Sequence, residues 1–233
     1  MQRLHIWDLP TRLSHWLLAI SIVSAIITGQ IGGNLIDWHG RIGLIIVGIL
    51  VFRLSWGFVG SPTARFSHFV RGPATIKRYL RGQWQGIGHN PLGALSVLAL
   101  LTLSAAQVGS GLFANDDIAF QGPLAALVNK DISNQLTGLH ELLFKLLLGL
   151  VALHLAAIVY YVRVKKETLV QPMIKGWKDT PLGKANPQPA NQGSIAALIL
   201  SLALAGVAVW AASSTWHTET AASPAAAVST PSW

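Results

Sequence analysis

Five apolar stretches divide the chain: Leu13–Ile31, Trp38–Val59, Leu92–Phe113, Leu136–Val164 and Ile195–Ala212. Each is close to the about 20 residues a helix needs to cross the hydrocarbon core of a bilayer. The first, preceded by Arg3 and Arg12, has the outline of a secretory signal. No small-x-small cleavage site follows Ile27, however, and a histidine lies inside the run, so it reads as a retained helix. Asn90-Pro91 supplies an N-cap and a first-turn proline to the third helix. Thr168–Asn191 is rich in Pro, Gly and Lys and reads as a linker, with its cytoplasmic stretch at 179–193. Residues 214–233 are mostly Ala, Ser, Thr and Pro and read as a disordered periplasmic tail. The predicted fold is all-α and membrane-integral: a four-helix transmembrane bundle over 1–178 (helices about 13–31, 38–59, 92–113 and 136–164) plus a fifth C-terminal transmembrane helix at 194–213.

Composition sharpens this picture. Charged residues make up 11% of the 233, against roughly 25% in an average globular domain. A soluble monomer needs more charged surface, and an apolar share of 52% excludes intrinsic disorder. The absence of cysteine removes disulfides, iron–sulfur clusters and covalent c-type haem attachment.

The net charge of +8 is a matter of topology. With the N-terminus in the cytoplasm, 14 of the 17 basic residues fall on the inner side. They are Arg3, Arg12, Arg53, Arg65, Arg71, Lys77, Arg78, Arg81, Arg163, Lys165, Lys166, Lys175, Lys178 and Lys184. The outer side keeps Arg41 and Lys130 with Asp37, Asp116, Asp117 and Asp131. Positive-inside placement therefore fixes the N-terminus inside and the C-terminus in the periplasm, and argues against nucleic acid as a partner.

Ionisable residues inside membrane helices are costly and mark function. Four of the eight histidines lie in the spans: His15, His39, His140 and His154. Helix direction puts His39 and His140 toward the outer side, and His15 and His154 toward the inner side. On the fourth helix the two histidines are fourteen residues apart, which is about 21 Å along the axis and within about 40° of the same face. Two flat macrocycles stacked through the bundle, each held by two imidazoles, satisfy that pattern. Bis-histidine ligation is the usual way to hold non-covalent haem b for electron transfer. Zinc would want three or four ligands at one depth, and only two are available at each.

Other residues fit around those four. Haem propionates are anionic, and arginine suits bidentate carboxylate binding. Arg12 lies one turn before His15, Arg41 two residues after His39, and Arg53 fourteen after His39 at the inner end. Gly29, Gly40, Gly43, Gly48 and Gly149 permit close approach of helices or a macrocycle. Lys145 faces away from the histidines and is expected to pair with Glu141, four residues before it. His5, His68, His89 and His217 fall in loops or termini, with His68 and His89 candidates to border a quinone pocket.

The chain resembles the bacterial cytochrome b561 family, which includes the b-type cytochrome subunit of nickel–iron hydrogenases. The resemblance rests on Ile6-Trp7-Asp8-x-Pro10-Thr11-Arg12-x-x-His15-Trp16 and Trp38-His39-Gly40-Arg41-Ile42-Gly43. It continues through Arg53-Leu54-x-Trp56-Gly57-x-x-Gly60, Ala64-Arg65-Phe66, Gly88-His89-Asn90-Pro91-Leu92-Gly93, His140-Glu141 and His154, covering about residues 3–178. It implies two b haems on the four histidines, with Arg12, Arg41, Arg53 and Arg65 as further cofactor-binding candidates. It also implies electron exchange between membrane quinone and a periplasmic redox partner, a c-type cytochrome or a hydrogenase, in the bacterial inner membrane. Two alternatives stand beside it: oxidation of superoxide or another small substrate with quinone as acceptor, and service as the haem-bearing anchor of a larger complex. The fifth helix and tail lie beyond the resemblance.

Overall fold

The structure, a computed structural model, describes residues 2–83, 90–118, 120–180 and 193–213. His89, His217, Gly88, the tail at 214–233 and residues 181–192 of the expected linker lie outside the described residues. Strand β1 (Gln2–His5) opens the chain, followed by helices α1 (Leu9–Ile31) and α2 (Ile36–Val59). Two short helices, α3 (Phe66–Phe69) and α4 (Pro73–Leu80), precede α5 (Pro91–Gly111) and α6 (Lys130–Arg163). Helix α7 (Val170–Lys175), strand β2 (Trp177–Thr180) and helix α8 (Ile195–Ala212) complete it. Among the described residues, α1, α2, α5, α6 and α8 carry the five helices long and apolar enough to cross a membrane.

Capping explains why two helices begin before their apolar stretches. Asp8 is extended, and its Oδ1 accepts the Thr11 N–H at 2.8 Å, with Pro10 in the first turn, so α1 starts at Leu9. Asn129 accepts the Ile132 N–H at 2.9 Å and starts α6 six residues ahead of the apolar run. The 34 residues of α6 span about 51 Å, so its ends stand clear of a hydrocarbon core about 30 Å thick.

Helix α1 packs on α2 and α5 on α6, and the α2–α5 contact joins the two pairs. Ile46 and Leu50 of α2 meet Leu101 of α5 in the buried centre. Helix α8 lies along α2, so closely that a Cβ on Gly48 would come within 2.9 Å of Val209. At the inner end of α2, Trp56 is 1% exposed and donates Nε1–H to Asp8 Oδ2 at 2.8 Å. Ala197 of α8 packs against it. One carboxylate thus caps α1 and anchors α2.

Among the described residues, the expected linker contains helix α7 and strand β2. Strand β2 pairs antiparallel with β1, Arg3 opposite Asp179. The Ile6 and Trp7 N–H groups both donate to the Gly176 carbonyl, at 2.8 and 3.1 Å. Gly176 holds φ +90, a left-handed conformation that glycine adopts freely. Arg12 donates to the Ile174 carbonyl and the Trp16 indole to that of Met173, strapping α7 onto the start of α1. Such pairing between chain ends leaves no periodic signal in a four-residue strand. The inner loop at 60–90 also carries helical turns: the Tyr79 hydroxyl of α4 hydrogen-bonds the Tyr161 hydroxyl of α6. Burial and that bond push the Tyr79 phenol above its ordinary pKa.

Candidate functional site

The outer histidines come from α2 and α6. His39 follows the 3-10 turn Gly33–Leu35 that reverses the chain after α1, three residues into α2. His140 lies ten residues after the start of α6. Their ring centroids are 6.1 Å apart with planes at 88°. Each ring is held by its Nδ1–H: His39 donates to the Ala25 carbonyl at 2.8 Å, and His140 to the Gln107 carbonyl at 2.8 Å. That tautomer leaves Nε2 of both rings as the lone-pair nitrogen, the form a metal ligand needs.

Both rings border one cavity of about 410 Å³ between α1, α2, α5 and α6, within the about 300–1,000 Å³ common for small-molecule and cofactor sites. Ile46 and Leu147 form part of its lining, each seven residues inward of its helix's outer histidine. Phe120, from the outer loop, stands edge-on to His39 at 6.4 Å. Glycines make the rings' seats: a Cβ on Gly29 would meet His39 Nδ1 at 2.8 Å, and one on Gly111 would meet His140 Cε1 at 2.8 Å. Gly43 also lines the cavity, with nothing within 4 Å of an added Cβ.

These residues fit a bis-imidazole iron. Metal–imidazole bonds of about 2.0–2.1 Å on opposite sides of one metal put the ring centroids about 6 Å apart. Among the described residues no three His, Asp or Glu side chains converge to hold an ion by themselves. A macrocycle would supply the remaining ligands of a metal held by these two imidazoles, and the largely apolar cavity they border suits one.

The inner level is built differently. His15 of α1 lies in electrostatic range of His154 of α6 and of Arg53 of α2. His15 Nδ1 is buried and has no hydrogen-bond partner among the described residues. His154 Nδ1 meets Ser96 Oγ at 3.4 Å, a long contact. Arg53 is 7% exposed, and its Nη1 donates a long 3.5 Å hydrogen bond to the Ala64 carbonyl. The guanidinium stacks over Phe66 at 5.3 Å. The buried Asp8 carboxylate ahead of α1 lies within electrostatic range of the guanidinium and offsets part of its charge.

The other arginines diverge. Arg12 is engaged by Ile174, although its Nε is buried and unpartnered. Arg65 donates Nε–H to the Gly60 carbonyl at 2.8 Å, which fixes the turn after α2. Arg41 is exposed and lies over Trp38 at 5.2 Å. Glu141 lines the outer cavity and forms no ion pair with Lys145. The expected intrahelical pair is absent: both side chains are exposed on α6, where water screens their attraction, and Glu141 borders the cavity. His68 is exposed on α3, and His5 sits in β1.

Sequence reasoning passed over α5, which has no histidine. Yet Ser110 lies 3.3 Å from His140 Nδ1 and Ser96 meets His154, so the two serines repeat the fourteen-residue spacing of the histidines in antiparallel register. Gln107 contributes both its carbonyl and its side chain to His140. The serines' spacing is visible in the sequence, but Thr102 and Ser104 are polar in the same helix, so spacing alone does not single them out.

Comparison with known proteins agrees in kind. A family model described as prokaryotic cytochrome b561 matches residues 6–176. A probable Ni/Fe-hydrogenase B-type cytochrome subunit of Azotobacter vinelandii is 26% identical over 215 residues, covering 75% of this chain and 88% of that protein. Its counterpart in Azotobacter chroococcum mcd 1 is 24% identical over 217 residues with the same coverage. Another, from Rhizobium leguminosarum bv. viciae, is 25% identical over 134 residues, 44% of this chain and 55% of that protein. No solved structure matches.

Proposed function

The chain belongs to the prokaryotic cytochrome b561 family, and from that premise we propose that it is a di-haem cytochrome b linking the membrane quinone pool to a periplasmic redox partner. Membership itself makes it a multi-pass membrane b-type cytochrome that carries electrons. The observation that carries the fuller reading is the outer pair, with His39 and His140 6.1 Å apart on one cavity. The relatives' names favour a hydrogenase-like partner. Basic residues on the inner side favour the bacterial inner membrane, with the N-terminus in the cytoplasm and the C-terminus in the periplasm.

Haem b, when bound, supplies a one-electron ferric–ferrous couple. The chain's own residues set the conditions for it. His39 and His140 hold the outer haem, and His15 and His154 the inner one. The carbonyls of Ala25 and Gln107 keep the outer imidazoles in the ligating tautomer. Ile46, Leu50, Leu101 and Leu147 keep the layer between the two levels apolar and dry. Arg53, buried and within electrostatic range of His15, would offer an inner propionate a counter-charge.

The pyridine haemochrome of protein purified in mild detergent tests this. Two haems per chain are expected, reducible by a quinol analogue. A single haem would overturn the di-haem reading, and none would overturn the cytochrome itself.

A further inference from the structure

The outer site contains one side chain that ligation by His140 leaves without a role. The Gln107 carboxamide donates Nε2–H to His140 Nε2 at 3.0 Å, the nitrogen on which the iron would sit. On the ring's other side, the Gln107 main-chain carbonyl accepts His140 Nδ1–H at 2.8 Å, and that carbonyl also accepts the Ser110 hydroxyl at 2.9 Å. One residue thus grips both nitrogens of the ring. The carboxamide Oε1 is buried and has no partner among the described residues, so the side chain gains only the bond to Nε2.

We propose that the Gln107 side chain is a positioning residue that latches the His140 Nε2 lone pair when the outer site lacks haem, and competes with iron for it. The inference rests on His39 and His140 being the outer haem's ligands. Its logic is one of division of labour. The carbonyl fixes the tautomer and survives any side-chain substitution, whereas the carboxamide must release Nε2 before a metal can take it. While latched, the lone pair is satisfied in an apolar setting where an unpaired nitrogen is costly. When a ligand bond breaks, recapture of Nε2 by the carboxamide favours loss of haem.

Removing the donor should therefore tighten the site, the reverse of what loss of a structural residue does. The test uses the full chain in detergent with His15→Ala, so that only the outer pair can ligate, and follows stripping of haem by excess apomyoglobin. Gln107→Leu, and Gln107→Met as a longer apolar substitute, should each slow stripping roughly 2- to 10-fold, the worth of one net hydrogen bond. The low-spin reduced spectrum should remain unchanged, because both ligands and the carbonyl anchor remain. Unchanged or faster stripping in both variants, with one haem still bound in the His15→Ala background, overturns the latch alone. An outer haem still bound in His140→Ala overturns the ligand pairing and the latch together.

Discussion

The outer and inner histidine levels meet the same requirement in opposite ways. Outside, both imidazoles are anchored through Nδ1 to main-chain carbonyls, seated on glycines and opened onto a cavity. Inside, among the described residues, the His15 Nδ1 is buried without a partner, the His154 Nδ1 has a 3.4 Å contact, and the buried Arg53 guanidinium has Asp8 as its opposite charge. The outer level is preorganised by the polypeptide. The inner level holds its imidazoles through fewer and longer polypeptide contacts. Preorganisation lowers the entropic cost of binding, so the outer site should hold its haem more firmly, and the inner site should depend on the cofactor's own charges.

Replacing ligands is the strongest way to break this comparison. His39→Ala and His140→Ala should each halve the haem content by removing the same outer haem, seen as identical losses in the reduced-minus-oxidised spectrum. His15→Ala and His154→Ala should remove the complementary component. If His39→Ala and His15→Ala removed the same spectral component, the two-level arrangement would fail.

A second test sharpens the electrostatic side. Arg53 is a cation at the inner level, and a cation stabilises the less positive ferrous state. Arg53→Gln should lower the inner haem's midpoint potential by on the order of 60 mV, the one-electron equivalent of a tenfold shift in equilibrium. The outer potential should stay put. Arg41→Gln should move neither by a comparable amount, because Arg41 is exposed over Trp38 and its charge is screened by water. Redox titration followed at the separate bands reads both. An equal shift in the two haems would mean that Arg53 acts through the whole bundle instead.

How much of this was legible beforehand depends on the length scale of the signal. The spans were visible because about 20 apolar residues leave a mark that no local detail can hide. The two levels followed from helix direction and the constant rise of a helix, arithmetic that needs only His140 and His154 in one segment. Rotation of one helix against another was not legible, since it depends on side chains meeting across the bundle. Ser96, Gln107 and Ser110 therefore passed unnoticed, and Glu141 was given to Lys145 by spacing although the two exposed side chains form no ion pair. The β1–β2 strap was hidden for a different reason. Strand pairing between residues 2–5 and 177–180 joins the chain's start to a point beyond four helices, and its few hydrogen bonds are too local to produce a periodic pattern.

The smallest expected effects come from the glycines, and they discriminate best. Gly29→Ala puts a methyl 2.8 Å from His39 Nδ1, against the atom that donates to Ala25. Overpacking of this kind costs about 1–3 kcal/mol, so the outer haem should be lost at lower temperature while the inner one is unaffected. Gly111→Ala should do the same through His140, whose Cε1 lies 2.8 Å from the added carbon. Gly43→Ala is the informative contrast, because its methyl would meet no protein atom within 4 Å and would enter the cavity itself. Against the protein alone it is harmless, and as a helical residue alanine is the better former. Any selective weakening of the outer haem in Gly43→Ala would therefore measure contact with the macrocycle face. Thermal loss of each haem, followed by its own absorbance, separates the three variants. A Gly43→Ala protein that keeps its outer haem as firmly as the parent would place the macrocycle away from Gly43, and leave the shaping of the site to glycines packed on its side chains, such as Gly29 and Gly111.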